Sequence, residues 1–403
     1  MAKVFVVAAP ASGSGKTMLT LGLLRAFRNR GLKVASAKVG PDHIDPRFHE
    51  AASGKPCLNL DPWAMKPDLM RGLLADLARD SDVVIIEGVM GLFDGPQGAQ
   101  GSTADLAHEL RLPIILVLDA SRQGQSIAAL AQGFIKFNSK LKFAGILLNR
   151  VASDRHAAIL ASALAPLKVP LLGAVRQNHL LAWPSRHLGL VQAQENQQLE
   201  EFIETAASTV ARETIVDTAE IEETRFHSVS GPVLPPLGQR IAVAEDLAFS
   251  FAYPHVLQGW KKSGAEISLF SPLKDETPRD DSDAVFLPGG YPELHAGQLA
   301  QSRKFLGHLR DTKALIYGEC GGYMVLGDAL IDGGGKCHAM AGLLPVTTSF
   351  AQRKLHLGYR QLKPLGGPWS KALRGHEYHY STIESEGKAD RLFMASDAAG
   401  QNL

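Results

Sequence analysis

Apolar positions along the chain fall into short, nearly continuous runs, separated by longer stretches in which they recur every three or four residues. From residue 1 to about 194 the runs predict strands over 4–9, 34–39, 83–87, 114–119, 144–149 and 170–175, and the periodic stretches predict helices such as 17–30 and 126–137. Runs such as VVII and PIILVL show no polar alternation, which suits strands covered on both faces. Strand and helix alternating at this spacing give βαβ units on a mostly parallel sheet. Near residue 199 the character changes. An acidic helical stretch, LEEFIETAASTVARE, leads through TAEIEETRF into GPVLPPLG, and the prolines there read as a linker. A second alternation begins at Gln239, with strands over 241–244, 266–270, 284–287 and 314–317, then 358–363 and 377–383. Two tandem α/β domains are expected, 1–195 and 239–403, joined by a linker over 196–238.

Composition narrows the function. Of 403 residues, 45% are hydrophobic and 21% charged, enough apolar material for buried cores. Lys and Arg number 42 against 41 Asp and Glu, so the chain is no electrostatic platform for nucleic acid. The longest apolar runs, such as 113–118, fall far short of the ~20 residues a membrane helix needs. No signal-peptide pattern opens the sequence, and a cytoplasmic protein is expected. Cys57, Cys320 and Cys337 are too few and too scattered for a disulfide framework or a paired-cysteine zinc site.

The first predicted strand runs directly into PASGSGKTM and then a helix. Glycines in such a loop let successive backbone N–H groups point inward at phosphate oxygens, and the helix N-terminus adds its partial positive charge. Ser12, Gly13, Ser14 and Gly15 would cradle the phosphates, Lys16 would reach the outer ones, and Thr17 would offer its hydroxyl to Mg²⁺. Pro10 stands where the usual phosphate loop has glycine, so the loop is a variant; Met18 excludes a dinucleotide fingerprint. After the second strand, KVGPDHIDPRFH brings Lys38, Asp42 and Asp45 to the carboxyl edge of the sheet, where open α/β folds bind ligands. These acids suit Mg²⁺ or the orientation of Lys38, although Asp beside Pro also serves turns. Glu87 ends the third strand facing the loop and would complete an oxygen shell with Thr17 and Asp45. Asp119 ends the next strand as an acidic contact or a cap. Asn149 ends the fifth, where its amide could read the adenine edge.

In the second half, ALIYGECGGYMVLG reads as strand, sharp turn and helix, with Cys320 at the turn. That placement exposes a thiol nucleophile and aims the Gly321 N–H at a developing oxyanion; Gly290, in AVFLPGGYPELH, could supply the other donor. The adjacent helix N-terminus is expected to lower the thiol pKa. Cys57 and Cys337 lack such flanks and read as structural. Downstream, GHEYHYS puts Glu377 and His379 on one face of a strand and His376 and Tyr378 on the other. His379 oriented by Glu377 could act as base for Cys320, although two solvated strand residues are the plainer reading. The spacing does not match a helical zinc motif.

Taken together, AAPASGSGKT, KVGPDHIDPRFH, NLDPWAM, EGVMGLFDG, LPGGYPELHAGQ, YGECGGYMVLG and GHEYHYS resemble the cobyrinic/hydrogenobyrinic acid a,c-diamide synthase family over almost the whole chain. NLDPWAM and the short linker resemble the aerobic-pathway branch, which acts on hydrogenobyrinic acid. The resemblance implies a dethiobiotin synthetase-like P-loop domain followed by a class I glutamine amidotransferase-like domain. It also implies a carbon–nitrogen ligase of cobalamin biosynthesis using glutamine, ATP and Mg²⁺, with small-molecule partners, no nucleic acid and no membrane. A homodimer is compatible with it. On this reading Cys320 attacks glutamine, Lys16 serves phosphoryl transfer, and Asp42, Asp45 and Glu87 lie near metal, phosphate or the substrate carboxylate. Lys38 joins Asp42 and Asp45 as a substrate contact. Family members usually continue into a Gly-Ser-(Phe/Tyr)-x-His segment whose His is the cysteine's base. This sequence ends at SDAAGQNL, so either the chain is a truncated form or another residue serves as base, with His379 the best remaining candidate. The same reaction on cobyrinic acid, or a partition-type switch ATPase, are the alternatives.

Overall fold

Seven parallel strands form the first sheet in the computed structural model, which describes residues 2–97, 100–178, 181, 198–216 and 234–403. In chain order the elements are β1 (Lys3–Ala8), α1 (Lys16–Asn29), β2 (Val34–Val39), α2 (Asp45–Ser53), β3 (Leu58–Leu60), α3 (Pro67–Arg79), β4 (Val83–Glu87) and α4 (Thr103–Glu109). They continue with β5 (Pro113–Asp119), α5 (Ile127–Phe137), β6 (Lys142–Val151), α6 (Asp154–Leu164), β7 (Leu171–Arg176) and α7 (Leu199–Glu213). The strand order is β3-β2-β4-β1-β5-β6-β7. Because side chains alternate along a strand, β1 sends Phe5 and Val7 into one core with Ile85, Ile115 and α1, and Val4 and Val6 into another with Val84, Ile86 and Ile114. The continuous apolar runs are thus buried on both faces, each large side chain contributing about 1.5–3 kcal/mol.

The chain divides into two compact units, Met1–Pro232 and Val233–Leu403. The stretch expected to begin the linker is structured: α7 buries Ile203, Ala206, Ala207 and Val210, and its Ile203 and Val210 join the first core. Gly22 of α1 is where the two helices touch, since a Cβ there would lie 2.8 Å from the Ala206 carbonyl oxygen. Arg25, buried on α1, pairs with Glu200 and Glu204 of α7. The expected boundary at 195 and linker residues 217–233 lie outside the described residues. Of the rest, Leu237 is buried in the second unit, and the Pro235 carbonyl accepts from the Trp369 indole at 3.0 Å.

The second unit contains β8 (Arg240–Ala244), α8 (Pro254–Lys262), β9 (Glu266–Phe270), β10 (Ala284–Leu287), α9 (Ala296–Leu299), α10 (Arg303–Asp311), β11 (Leu315–Gly318) and α11 (Gly321–Leu326). After these come β12 (Gly327–Ile331), β13 (Cys337–Ala339), β14 (Leu344–Ser349), β15 (His356–Pro364), β16 (Leu373–His379), β17 (Thr382–Glu386) and β18 (Phe393–Asp397). A parallel sheet runs β11-β10-β8-β9, a mixed one β13-β12-β14-β17, and an antiparallel one β16-β15-β18. The single strand expected over 377–383 is two strands in different sheets: β16 pairs with β15 and β17 with β14. The chain changes sheets at Tyr380 and Ser381, where Tyr380 packs on the core and Ser381 is buried.

Candidate active site

The phosphate loop begins where β1 leaves the sheet. Gly13 and Gly15 adopt φ of 78° and 92°, conformations costly to a residue with a Cβ. At Gly15 the packing is also closed, because a Cβ would lie 2.0 Å from Asn149 Nδ2. The Ser14 hydroxyl donates to the Ala11 carbonyl at 2.9 Å, while Ser12 and Gly13 stay exposed. Lys16 Nζ donates to the carbonyls of Met90 (2.5 Å) and Ala11 (3.2 Å), tying the loop to the segment after β4. Burial lowers the Lys16 pKa against the attraction of Glu87. Asn149 is buried and donates to the Ser14 carbonyl at 3.0 Å, so its amide nitrogen braces the loop from beneath.

Behind the loop lies an acid cluster. Parallel pairing sets Lys38 beside Glu87, and both side chains are buried. Lys38 Nζ donates to Asp45 at 2.6 Å and Glu87 Oε1 at 2.8 Å, and Asp42 lies 3.9 Å away. The Thr17 hydroxyl donates to the same Glu87 oxygen at 2.6 Å and lies 3.5 Å from Asp45 Oδ2. Asp42 also does turn work, accepting from the N–H groups of Ile44 and Asp45, and Asn59 clamps the loop through the Gly40 and Asp42 carbonyls. Burial alone would lower Lys38, yet Asp45, Glu87 and Asp42 raise it well above its ordinary value. Burial and the Asp42 charge push Asp45 up to about 7 against Lys38. Glu87 is held well below the usual carboxylate range, because Lys38 and His49 outweigh its burial.

His49 was not anticipated. It sits one helical turn after Asp45 on α2, fully buried, with Nε2 2.6 Å from Glu87 Oε2 and Nδ1 3.5 Å from the Cys57 thiol. Burial opposes its charge, but Cys57 and Glu87 prevail and push the imidazole up to about 10. The i, i+4 spacing in DPRFH was the available signal. Asp119 is a cap and ion-pair partner, accepting from the Ser121 N–H and pairing with Arg150.

In the second unit Cys320 stands between β11 and α11 at φ 49°, ψ −112°, a strained elbow for a non-glycine residue. Glycines make the elbow possible: a Cβ on Gly322 would lie 2.0 Å from the Leu287 carbonyl oxygen, and one on Gly290 2.0 Å from that of Ala248. The Gly321 and Gly290 amides both donate toward the thiol. Their proximity follows from packing, since a Cβ on Gly321 would approach Gly290 N to 3.2 Å. The expected lowering of the thiol pKa is reversed. Although Cys320 is solvent-accessible, surrounding protein together with Glu293 and Glu319 pushes it up to about 11, and the two amides only partly offset this. Surrounding protein likewise raises Glu319, although it is solvent-accessible, and takes the half-buried Glu293 up to about 7. Glu377 and His379 do share a face: His379 Nε2 lies 2.8 Å from Glu377 Oε1, and Nδ1 3.1 Å from the Ser381 carbonyl. Cys320 is not among the partners of His379. Cys57 is buried; Cys337 is exposed.

Family models match both halves. A CobQ/CobB/MinD/ParA nucleotide binding domain matches residues 5–191, and a CobB/CobQ-like glutamine amidotransferase domain matches residues 240–403. A hydrogenobyrinate a,c-diamide synthase of Brucella anthropi is 54% identical over 412 residues, covering 100% of this chain and 94% of the relative. One from a Sinorhizobium species is 50% identical, covering 99% and 94%. The chain belongs to the hydrogenobyrinate a,c-diamide synthase family. Chloroplast FtsY from Physcomitrella patens overlaps 51% of the chain and 65% of its own, at 16% identity and a TM-score of 0.34.

Membership of the hydrogenobyrinate a,c-diamide synthase family accounts for both sites being on one chain. The P-loop NTPase-like unit carries the glycine loop and acid cluster, and the class I glutamine amidotransferase-like unit carries the cysteine elbow. Among the described residues, no helix is long and apolar enough to cross a membrane.

Proposed function

We propose that the protein amidates the a and c carboxylates of hydrogenobyrinic acid in cobalamin biosynthesis, using ATP and taking nitrogen from glutamine. The observation that carries this is the presence of a phosphate loop and a cysteine elbow on a chain that is 54% identical, over its whole length and 94% of the relative's, to a hydrogenobyrinate a,c-diamide synthase. In the second unit the Cys320 thiolate attacks the glutamine side-chain carbonyl, with the Gly290 and Gly321 amides donating to the oxyanion. Collapse of that intermediate breaks the C–N bond and releases ammonia, and water hydrolyses the γ-glutamyl thioester to glutamate. The thiol's proton needs an acceptor. His379 was the candidate, and its ring nitrogens contact Glu377 and Ser381 instead.

In the first unit a substrate carboxylate oxygen attacks the γ-phosphorus of ATP, ADP leaves, and ammonia displaces phosphate from the acyl phosphate. Lys16 neutralises the transferring phosphoryl group, and the loop amides of residues 12–17 hold the phosphates. Thr17, Asp45 and Glu87 would hold Mg²⁺. Their oxygens converge within hydrogen-bonding range, as a hard cation requires, and Lys38 now links the two carboxylates. Mg²⁺ would supply charge neutralisation on the phosphates. Lys38 and Asp42 face the same cluster and would orient the carboxylate to be activated.

The test is the ATP-dependent mass change of hydrogenobyrinic and cobyrinic acids, each with glutamine or with ammonium. Two additions of −1 Da, one per carboxylate converted to amide, on hydrogenobyrinic acid with glutamine are expected. A preference for cobyrinic acid would correct the substrate. Amidation by ammonium alone would remove glutamine as donor, and no amidation under any condition would favour a switch ATPase.

A further inference from the structure

The face of the third sheet that carries His379 has features the amidation reading does not use. In the antiparallel register of β15 and β16, His356 lies opposite His379 and Gly358 opposite Glu377. Directly paired residues project to the same side, so His356, Glu377 and His379 share one face. The missing side chain at Gly358 makes room beside Glu377 for the Arg360 guanidinium, since a Cβ there would lie 2.3 Å from Arg360 Nη1. The two imidazoles stack with centroids 4.7 Å apart and planes 14° apart. One potential donor atom from each of the three residues lies within 4.8 Å of the other two, and all three side chains are half-buried.

Outer partners aim these donors. Arg360 takes Glu377 Oε2 through Nε and Nη2, which leaves Oε1 turned toward the imidazoles. His379 Nδ1 faces the Ser381 carbonyl and hydroxyl, which directs Nε2 to Glu377 Oε1. Carboxylate and imidazole ligands in metal sites are commonly held by second partners of this kind. Among the described residues, the ring nitrogens of His356 have no hydrogen-bond partner, so one imidazole stands beside a fixed carboxylate oxygen held only by its stack on His379. A surface ion pair would account for Arg360 and Glu377, but not for the second, parallel histidine.

The geometry points to a divalent-cation site of the zinc class, formed by His356, Glu377 and His379. Two imidazole nitrogens and one carboxylate oxygen are a donor set that zinc favours, leaving a fourth position for water or another ligand. Bond lengths of ~2.0–2.2 Å for such ligands require the two stacked rings to rotate out of parallel, so that both nitrogens and the carboxylate oxygen face one ion. Both strands are ligated, so the ion would clip β15 to β16 while occupying His379.

The test uses the full chain carrying Cys320→Ser and Cys337→Ser, so that exposed thiols do not compete. After chelator treatment it is titrated with Zn²⁺ by calorimetry and with Co²⁺ by visible absorption. One ion per chain is expected at this site, with cobalt bands of tetrahedral intensity. His356→Gln, Glu377→Gln and His379→Gln should each weaken it at least tenfold, and Arg360→Gln less. His338→Gln, which breaks a separate His–Asp pair, should leave it unchanged. No saturable binding, or binding that survives all three ligand substitutions, would overturn the proposal. Circular dichroism of each variant separates ligand loss from unfolding.

Discussion

Replacing His49 with alanine removes a side chain that is fully buried and bonded to an equally buried Glu87. Breaking a buried pair from one side typically costs ~3–5 kcal/mol, because the remaining charge is left without its partner. Glu87 keeps Thr17 and Lys38 on its other oxygen, which places the loss near the low end, about 3 kcal/mol. For a unit of this size that corresponds to a fall of about 6–12 °C in Tm. Calorimetry reads it from whichever transition ATP–Mg²⁺ shifts upward, since a ligand raises only the unit that binds it. The sign with pH follows from the two shifts. His49 is raised to about 10, so its contribution is whole below the unfolded value near 6.5 and is lost as pH climbs toward 10. Glu87 is depressed, so its contribution is whole above about 4.5 and is lost in more acid solution. The deficit of His49→Ala is therefore greatest near pH 6 and smaller at pH 9.5. His49→Gln, which can still donate one hydrogen bond, should recover part of it. A Tm within 1 °C of wild type, or a deficit that grows with pH, would refute the reasoning.

Cys320→Ser should abolish glutamine-driven amidation and leave ammonium-driven amidation intact, as mass spectrometry of the corrinoid product will show; loss of both would break the proposed division of labour. Because the thiol is pushed up to about 11, glutamine hydrolysis should rise with pH close to tenfold per unit between 7 and 9, and a flat profile would point to a base acting on Cys320 in the complex. Gly15→Ala pays about 1–2 kcal/mol for its left-handed backbone, plus the collision with Asn149, so ATP affinity should drop more than tenfold by calorimetry. Adding Asn149→Ala should recover part of that loss; an additive double mutant would show that the two residues do not meet.

Features set by neighbours in sequence were readable from the chain. The glycine loop, the elbow at Cys320 and the doubly covered strands each depend on a few adjacent residues, and the structure has them where the pattern put them. His49 was missed because its meaning depends on the phase of α2 against β4, two segments far apart in sequence. The strand expected over 377–383 looks continuous by alternation, yet Tyr380 turns into the core and the chain changes sheets, which only the tertiary pairing decides. The acidic helical stretch after 199 reads as the start of a linker, while its small residues fit against Gly22 of α1. The thiol's pKa follows the protein density around the elbow, a property invisible to a six-residue helix pattern.

The seating of α7 on α1 has a consequence for synthesis on the ribosome. Helix α1 follows directly from the phosphate loop, and among the described residues one flank of it, at Gly22 and Arg25, is covered by residues 199–213. Until those residues emerge, Gly22 and its apolar neighbours face water and Arg25 lacks its carboxylate partners. The nascent nucleotide-binding unit must therefore wait for the segment beyond its own seven-stranded sheet before it can complete. A shortened chain ending at 195 should accordingly be prone to aggregation, and one ending at 216 should not.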